Sequence, residues 1–444
     1  AFIPCLREYK SVFNLTPDIL EEQGFVLQDD KAFTLADRAR LAFYLAELEL
    51  QYECVLFDAG ATASAWCQFV LNNVDALIAV ADAQADSALS VVEQYIDADK
   101  DRYTHLCQYL VLIHPSIRST PHNTSNWLNL RRIYSSHHVA YDEPKTLRSL
   151  ARIMTGCCIN LVLSGGGARG YVHIGVLKVL REYGIEVDTV SGVSMGSIIG
   201  AMIAMEKDPD TIANDCLGLF SDVSLLKALF LIQLPFSSML KPKGYRKLFQ
   251  SVYGTLQIED LWKKYFCLTV NMTKAKEHVF DSGYIYHAVM GSGGLPMAVS
   301  PLISEGDMHV DGCVLNTMPV DIAKQRYGGE VICVQIARDS TYPRDTVHSI
   351  FPSSWQILRR MLNPFKKNLN VPLLTEIMTK TIQMANFKKT KDMAELADVV
   401  IAPDISSVKP SDHPKVKEIA ELGYKEAKIQ IEKWLAKKKA EGKQ

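Results

Sequence analysis

The stretch from residue 159 to residue 204 constrains the fold most, because it alternates apolar strands with glycine-rich turns. Its pattern predicts, in order, a strand at 159–163, a glycine loop at 164–170, an amphipathic helix at 172–183, a strand at 187–190 and a sharp turn into another helix. Two strands joined through a helix run parallel, and a parallel sheet needs helices on its faces. We therefore expect an α/β domain with a mostly parallel central sheet.

The sharp turn carries the pattern GxSxG in Gly192-Val193-Ser194-Met195-Gly196. The chain reverses there from strand to helix, and side chains in place of Gly192 and Gly196 would collide. Ser194 would then stand on a strained turn at a helix N-terminus, whose dipole favours developing negative charge. The pattern predicts Ser194 as a catalytic nucleophile.

The glycine loop supplies a second candidate part of the site. Because the carboxyl ends of parallel neighbouring strands meet at one edge of a sheet, the amides of Gly166 and Gly167 can point at an oxyanion formed beside Ser194. We therefore predict an oxyanion hole from Gly165, Gly166, Gly167 and Arg169. Two interpretations of Arg169 stay open: it orients the loop and stabilises charge, or it braces the loop through a salt bridge.

The same loop matches GxGxxG through Gly165, Gly167 and Gly170, a pattern also found in dinucleotide-binding sites. Such a site needs an acidic residue at the end of the second strand to hold the ribose hydroxyls. Asp188 lies at the start of that strand, so its position disfavours a nucleotide cofactor.

A serine nucleophile needs a base, and the best candidate is Asp311, which follows a predicted strand at 308–310. An Asp-Gly corner would bring this carboxylate to the same sheet edge, but it would need burial to raise its basicity. A Ser-His-Asp triad through His309 or His348 remains possible. The spacing argues against it, because α/β-hydrolases take an oxyanion donor from a loop well upstream, whereas this glycine loop is the preceding turn. We interpret His173 as a packing or capping residue.

Apolar runs before this region predict a separate, Rossmann-like α/β unit with a parallel sheet. Strands are predicted at 54–57, 76–80 and 109–113, helices at 35–50, 87–96 and 126–134, a surface loop at 115–126 and a link at 141–155. Asp58 and Asp82 follow two strands, where such sheets often hold ligands. No glycine-rich phosphate loop follows the first strand, so we favour a non-catalytic supporting unit. We place the domain boundaries at 1–150, 156–340 and 341–444.

The last region is expected to be helical and partly packed on the catalytic domain. From Lys415 to Gln444 there are nine Lys against five Glu. The apolar positions there share one helical face: Val416, Ile419, Ala420, Ala427, Ile431, Trp434 and Leu435. That face could contact a membrane, although packing on its own domain is the commoner outcome. The apolar stretch at 223–240 is likewise open between a mobile flap, a membrane contact and core.

Composition argues against several function classes. The 48 basic and 50 acidic residues give a net charge of −2, so no long-range field attracts nucleic acid. The ten cysteines form no CxxC pair and no metal-ligand spacing, which fits a reduced compartment without structural zinc. No secretory signal and no bilayer-crossing helix are predicted.

Taken together, the glycine loop, Ser194 in its elbow and the Asp311-Gly312 corner resemble the catalytic motifs of patatin-like phospholipases. Segments that resemble the neuropathy target esterase branch lie at 41–47, 127–131, 161–193, 257–262 and 319–323. The resemblance implies a three-layer α/β/α domain and a Ser-Asp dyad without histidine, metal or organic cofactor. It also implies hydrolysis of phospholipids, especially lysophospholipids, at the cytoplasmic surface of intracellular membranes such as the endoplasmic reticulum.

The chain departs from the family pattern at two places near the predicted base. Cys313 stands where the corner usually continues with Gly or Ala, and the segment Gly291–Pro296 replaces a more regular Ala-Ser helix start. A catalytically weak, lipid-binding or regulatory protein is therefore the alternative to an active esterase. The sequence indicates neither the head group nor the acyl position, and it leaves the oligomeric state open.

Overall fold

The computed structural model describes residues 2–25, 33–220, 238–336 and 374–442, which form a smaller N-terminal α/β unit and a larger α/β domain. The strands of the smaller unit are β1 (Val12–Leu15), β2 (Cys54–Phe57), β3 (Ala76–Asp82), β4 (Cys107–His114) and β5 (Ser135–Ala140). Its helices are α1 (Phe2–Arg7), α2 (Pro17–Glu22), α3 (Leu35–Gln51), α4 (Ala65–Leu71), α5 (Val91–Ala98), α6 (Thr124–Leu128) and α7 (Pro144–Met154). β1 pairs with β2, and β3, β4 and β5 pair in that order, all in parallel.

The predicted α/β character of this unit is confirmed, and each of the three predicted strands is present. The sequence prediction missed β1 and β5. The predicted helix at 126–134 was wrong, because α6 ends at Leu128. The predicted link at 141–155 was also wrong, because most of it is helix α7, which packs on β5. β5 escaped prediction because its sequence, Ser-Ser-His-His-Val-Ala, is largely polar although five of its six residues are buried.

The strands of the larger domain form one mixed sheet. They are β6 (Ile159–Leu163), β7 (Thr189–Gly192), β8 (Lys264–Asn271), β9 (Lys276–Phe280), β10 (Leu302–Ser304), β11 (Asp307–Asp311), β12 (Glu330–Val334) and β13 (Val399–Ile401). Their order in the sheet is β10-β11-β8-β7-β6-β12-β13, and β9 pairs with β8. The strand pairs β8–β7, β7–β6, β6–β12 and β12–β13 run parallel. The pairs that involve β9, β10 and β11 are antiparallel.

Helices cover both faces of this sheet. They are α8 (Val172–Glu182), α9 (Met195–Ala204), α10 (Pro209–Phe220), α11 (Pro242–Tyr253), α12 (Ile285–Ser292), α13 (Val320–Tyr327), α14 (Leu374–Ala385), α15 (Phe387–Leu396) and α16 (Val416–Ala440). Alternate residues of β6 enter two separate cores: Leu161 and Leu163 pack with α8, α9 and α16, whereas Val162 packs with α13 and α15. The expected three-layer architecture with a mostly parallel sheet is confirmed.

The topology brings two strand ends together along one edge of β8. β7 pairs in parallel with residues 264–267 of β8, and β11 pairs in antiparallel fashion with residues 269–271. β9 occupies the opposite edge, since Cys267 pairs with Gly192 on one side and with Phe280 on the other. β7 and β11 therefore run toward each other and end on either side of Leu268. The turn after β7 and the last residue of β11 become neighbours for this reason.

The C-terminal helix α16 packs on α8, and its predicted apolar stripe lies in that contact. The two backbones approach so closely that a Cβ atom on Gly423 would overlap the backbone of Val172. The packing interpretation of the stripe is therefore correct, and the stripe does not face a membrane. Because β13 adds a strand to the central sheet, residues after 374 also contribute to this domain; the domain boundaries stay a prediction.

We expect Gly423→Ala to lower the free energy of unfolding by about 2 kcal/mol, because the added methyl group forces α16 away from α8. The matched control is Gly218→Ala in α10, where a Cβ atom would meet nothing within 4 Å. That control should raise the free energy of unfolding by about 0.5 to 1 kcal/mol through lower backbone entropy. Urea unfolding of both variants measures the difference, and equal stabilities would contradict the packing assigned to α16.

Two predictions fall outside the described residues, namely His348 and positions 223–237 of the apolar stretch. Across the four ranges that the structure describes, none of the helices has the length and apolar character required to cross a bilayer.

Candidate active site

Ser194 stands at the junction of β7 and α9 in a backbone conformation that only glycine adopts without strain. Its φ is 54° and its ψ is −124°. A Cβ atom on Gly192 would overlap the backbone of Gly196, and one on Gly196 would overlap the carbonyl group of Leu163. The tight elbow expected from GxSxG is thus formed, and it places Ser194 against the end of the neighbouring strand β6.

Asp311 is the last residue of β11. It lies beside Ser194 because β7 and β11 run toward each other along the same edge of β8. The carboxyl group is 2% exposed, and this burial raises the pKa of Asp311 to about 6. Hydrogen bonding from the Ser194 hydroxyl and from the amide and thiol of Cys313 acts in the opposite direction on this pKa. The Cys313 amide donates to Asp311 Oδ1 at 2.8 Å, and the Asp311 amide donates to the Gly294 carbonyl at 3.0 Å. Burial thus supplies the added basicity that a carboxylate base needs.

The glycine loop packs directly against the elbow. A Cβ atom on Gly165 would lie 2.8 Å from Ser194 Cβ, too close for any side chain. Gly167 has a φ of +60°. Within the described part of the chain, the amides of Gly166 and Gly167 donate to no backbone carbonyl, whereas the next amide, that of Ala168, donates to the Pro410 carbonyl at 2.9 Å. Gly166 and Gly167 therefore remain available as oxyanion donors.

Arg169 does not line the cavity at Ser194. Its Nε donates to the Val408 carbonyl at 2.7 Å, which ties the glycine loop to the segment before α16. The bracing interpretation of Arg169 therefore fits its position better than direct charge stabilisation, although the bond described goes to a carbonyl group rather than to a carboxylate. The catalytic roles of all these residues stay predictions; the structure gives their positions.

Ser194 and Asp311 open into a cavity of about 280 Å³. The remaining wall is mostly apolar or aromatic and comes from α9, α10, α11, the turn after α12, α14 and the C-terminal segment: Met195, Ile198, Phe220, Tyr245, Leu295, Ile382, Gln383, Pro410 and His413, among others. The amide of Met195 opens helix α9 and has no intrahelical acceptor, so it is also available as an oxyanion donor. An apolar cavity with a few polar groups at one end suits an acyl chain whose ester is held at the serine.

Ser292 is a supporting residue that the sequence prediction missed. Its Oγ accepts a hydrogen bond from the Ser194 amide at 3.1 Å and donates to the Leu268 carbonyl at 2.7 Å. It therefore joins the elbow to the point on β8 where β7 and β11 meet. Ser292 belongs to the segment Gly291–Pro296, whose sequence alone gave no sign of this contact.

We expect Ser292→Ala to lower the free energy of unfolding by about 1 to 2 kcal/mol, because a buried amide and a buried carbonyl lose their partner. Catalytic efficiency toward an ester substrate should fall about tenfold as the elbow loses its support. Ser251→Ala is the control, since Ser251 is exposed and, among the described residues, its hydroxyl bonds only the Leu248 carbonyl of its own helix. A Ser292 variant that matches this control in both measurements would contradict the supporting role.

The alternative site residues take other positions. His309 bonds Thr269 at 3.1 Å, and His173 bonds the Ser164 carbonyl at 2.9 Å, which supports the glycine loop from behind. Asp188 is fully buried and pairs with Arg152 at 2.7 Å at the opposite end of the strands, so it holds no ribose. Among the residues described, no group of three His, Cys, Asp or Glu side chains is arranged to hold a metal ion.

Comparison with known families matches two successive parts of the chain. Residues 161–324 match the family described as patatin-like phospholipase, and residues 10–159 match the neuropathy target esterase family P-loop like domain. In this chain the β2–α4 loop at residues 58–64 contains glycine but no lysine. It therefore lacks the side chain with which a P-loop reaches the phosphates of a nucleotide.

Curated relatives align along most of the chain. They include patatin-like phospholipase domain-containing protein 7 of Rattus norvegicus (28% identical over 431 residues), patatin-like phospholipase domain-containing protein 6 of Homo sapiens (29% over 429) and lysophospholipase NTE1 of Yarrowia lipolytica (28% over 450). Each alignment covers 89% of this chain but 31% of the relative. The chain thus spans about a third of the length of these relatives.

Similarity to solved structures is weak. VipD from Legionella pneumophila aligns with a TM-score of 0.29 and 15% identity over 65% of this chain and 77% of that chain. The type III effector ExoU gives a TM-score of 0.28 and 10% identity over 63% and 53%. The two matched domains and the curated relatives are the stronger findings. The chain therefore contains a patatin-like phospholipase domain preceded by a P-loop like domain of the neuropathy target esterase family.

Proposed function

We propose that this chain is a serine esterase that hydrolyses fatty-acyl ester bonds of lysophospholipids and phospholipids. The observation that carries the proposal is a serine on a strained elbow beside a buried carboxyl group whose pKa is raised to about 6. The patatin-like phospholipase domain supports ester hydrolysis, and the name of the Yarrowia relative, a lysophospholipase, supports the substrate class.

The proposed reaction has two halves. Asp311 accepts the Ser194 proton while Ser194 Oγ attacks the ester carbonyl carbon, and the amides of Gly166 and Gly167 hold the resulting oxyanion. Asp311 returns the proton to the departing alcohol oxygen, which leaves an acyl-enzyme on Ser194. A water molecule then attacks the acyl carbon while Asp311 takes its proton. As the intermediate collapses and the fatty acid leaves, Asp311 returns that proton to Ser194 Oγ, which restores both residues.

The mostly apolar cavity wall supports this substrate class. In the proposed complex the acyl chain lies against Ile198, Phe220 and Leu295, and the polar end of the lipid stays outside. Action at the cytoplasmic surface of intracellular membranes, including the endoplasmic reticulum, is part of this proposal. It rests on the family resemblance and on a substrate that resides in membranes.

A second candidate function is lipid binding with little turnover. It is favoured by Cys313, whose thiol packs against Gly165 and bonds the Asp311 carboxyl group, so that it crowds the oxyanion loop and the base. Burial raises the pKa of Cys313 well above its ordinary value, which keeps the thiol neutral and limits its effect on the carboxylate. We therefore place active hydrolysis first.

A fluorophosphonate probe separates the two functions. An active esterase should be labelled at one residue, Ser194, and Ser194→Ala should stay unlabelled, whereas Ser411→Ala, which changes another serine of the cavity wall, should label like the wild type. Mass analysis of fatty acids released from a panel of phospholipids and lysophospholipids then identifies the preferred substrate. A wild-type chain that is folded, binds lipid and resists labelling would favour the binding function.

A further inference from the structure

A second cavity, of about 250 Å³, lies between the N-terminal unit and the larger domain. One side of it is formed by β5 and α7, and the other by the end of α8 and the starts of β7 and β8. It is therefore at the amino ends of the parallel strands, at the opposite end of the sheet from Ser194. None of the residues proposed for ester hydrolysis contributes to its wall.

The carboxylates in the wall of this interdomain cavity are already neutralised. Basic partners lie at 2.7 to 3.0 Å: Arg148 and Arg152 for Glu186, Arg152 for Asp188 and Lys263 for Glu206. Such close pairs satisfy both charges, and they leave no free carboxylate for any further cation in the wall.

Lys264, the first residue of β8, has no such partner. Its ammonium group forms no ion pair or hydrogen bond with any residue in the described ranges, and the carboxylates that act on it from a distance, Asp281 and Glu259, are engaged with Arg326 and with the Gly283 amide. Burial lowers the pKa of Lys264 to about 8, so the group still carries a positive charge at pH 7 most of the time.

His137 supplies a second unmet polar group from the other side of the cavity. The residue belongs to β5, is 6% exposed, and its Nε2 is buried without a hydrogen-bond partner among the described residues. Burial and the nearby Lys264 hold the pKa of His137 well below its usual range, so the ring is neutral. A neutral imidazole can present one N–H group to an acceptor.

Both residues line the same cavity, and there a partly buried charge without a partner and an unpaired buried nitrogen are unfavourable unless a ligand meets them. A small oxyanion provides negative charge for the ammonium and several acceptor oxygens for N–H donors. The cavity of about 250 Å³ has room for an ion of this size. We propose that the interdomain cavity binds a small oxyanion, either inorganic phosphate or a small phosphomonoester, through Lys264 and His137.

The two groups come from different parts of the fold, so a bound oxyanion would hold β5 of the N-terminal unit against β8 of the larger domain. Binding should therefore stabilise the docking of the two units as well as the local site. The proposal is independent of ester hydrolysis, since it uses neither Ser194 nor Asp311.

Calorimetric titration and thermal unfolding test the site, with inorganic phosphate and glycerol 2-phosphate as separate probes and sodium chloride at matched ionic strength as the reference. Lys264→Met should weaken binding about 10- to 100-fold, because a charge-assisted contact is lost. The variant should fold, since it removes a partly buried charge that has no partner among the described residues. His137→Phe should weaken binding about tenfold, and Lys276→Met, an exposed lysine on the adjacent strand β9, should bind like the wild type.

The two probes distinguish the sources of the oxyanion. Binding of phosphate alone supports the inorganic ion, and tighter binding of glycerol 2-phosphate supports a phosphomonoester. The proposal is overturned if neither probe binds or stabilises the protein more than chloride, or if Lys264→Met responds as the wild type does. Ser194→Ala should bind both probes unchanged, and a loss of binding there would move the oxyanion to the esterase site and overturn the proposal as well.

Discussion

Replacing Ser194 by glycine should abolish ester hydrolysis and at the same time raise the free energy of unfolding by about 1 kcal/mol. The loss of the nucleophile should lower the turnover number by about 10⁴- to 10⁶-fold, as expected when a residue that forms the covalent intermediate is removed. The gain in stability has a separate cause, because a φ of 54° with a ψ of −124° strains any residue that carries a Cβ atom. Fatty-acid release from a lysophospholipid and urea unfolding measure the two effects.

Ser194→Ala is the matched control for this experiment. It removes the same hydroxyl group and should lose the same activity, but it keeps the Cβ atom and with it the backbone strain. The glycine variant should therefore be the more stable of the two by about 1 kcal/mol. Residual activity above about one per cent in either variant would exclude Ser194 as the nucleophile, and equal stabilities would contradict the strained elbow.

The parts of the site that could be predicted from the sequence are local. Gly192, Ser194 and Gly196 lie within five residues of one another, and the steric demands of a strand-to-helix turn explain the glycines without any tertiary information. The glycine loop precedes the elbow by a single helix, so parallel pairing of β6 and β7 places it at the same edge. The position of Asp311 beside Ser194 depends instead on how β11 meets β8, a contact between strands that are distant in sequence.

The parts that escaped prediction depend on contacts that are distant in sequence. Ser292 supports the elbow only because α12 packs where two strands converge on Leu268. In the same way, β5 buries His137 and His138 in the interface between the two units, which reverses the usual link between polar sequence and exposure. The stripe on α16 was visible as a pattern, but the choice between a membrane and α8 as its partner required the fold.

Replacing Asp311 by asparagine should lower catalytic efficiency at least about 10³-fold while it stabilises the folded protein at neutral pH. The amide is nearly isosteric but accepts no proton from Ser194, which accounts for the loss of activity. In the wild type, catalytic efficiency should rise with pH with a midpoint near 6, because only the ionised carboxylate acts as a base. This limb of the pH profile should be absent from the residual activity of Asp311→Asn.

The stability effect follows from the same pKa. The folded-state pKa of Asp311, about 6, lies above the ordinary value of 3.8, so the folded chain holds this proton more tightly than the unfolded chain does. Stability from this group is therefore fully present below about pH 4 and is lost as the pH rises through 6, a change of about 3 kcal/mol. Asp311→Asn has no carboxyl group to ionise, so its advantage over the wild type in urea unfolding should grow by about 2 kcal/mol between pH 4 and pH 7. An advantage that does not change with pH would mean that Asp311 ionises as an ordinary surface carboxylate, and the buried base that the proposed reaction requires would not exist.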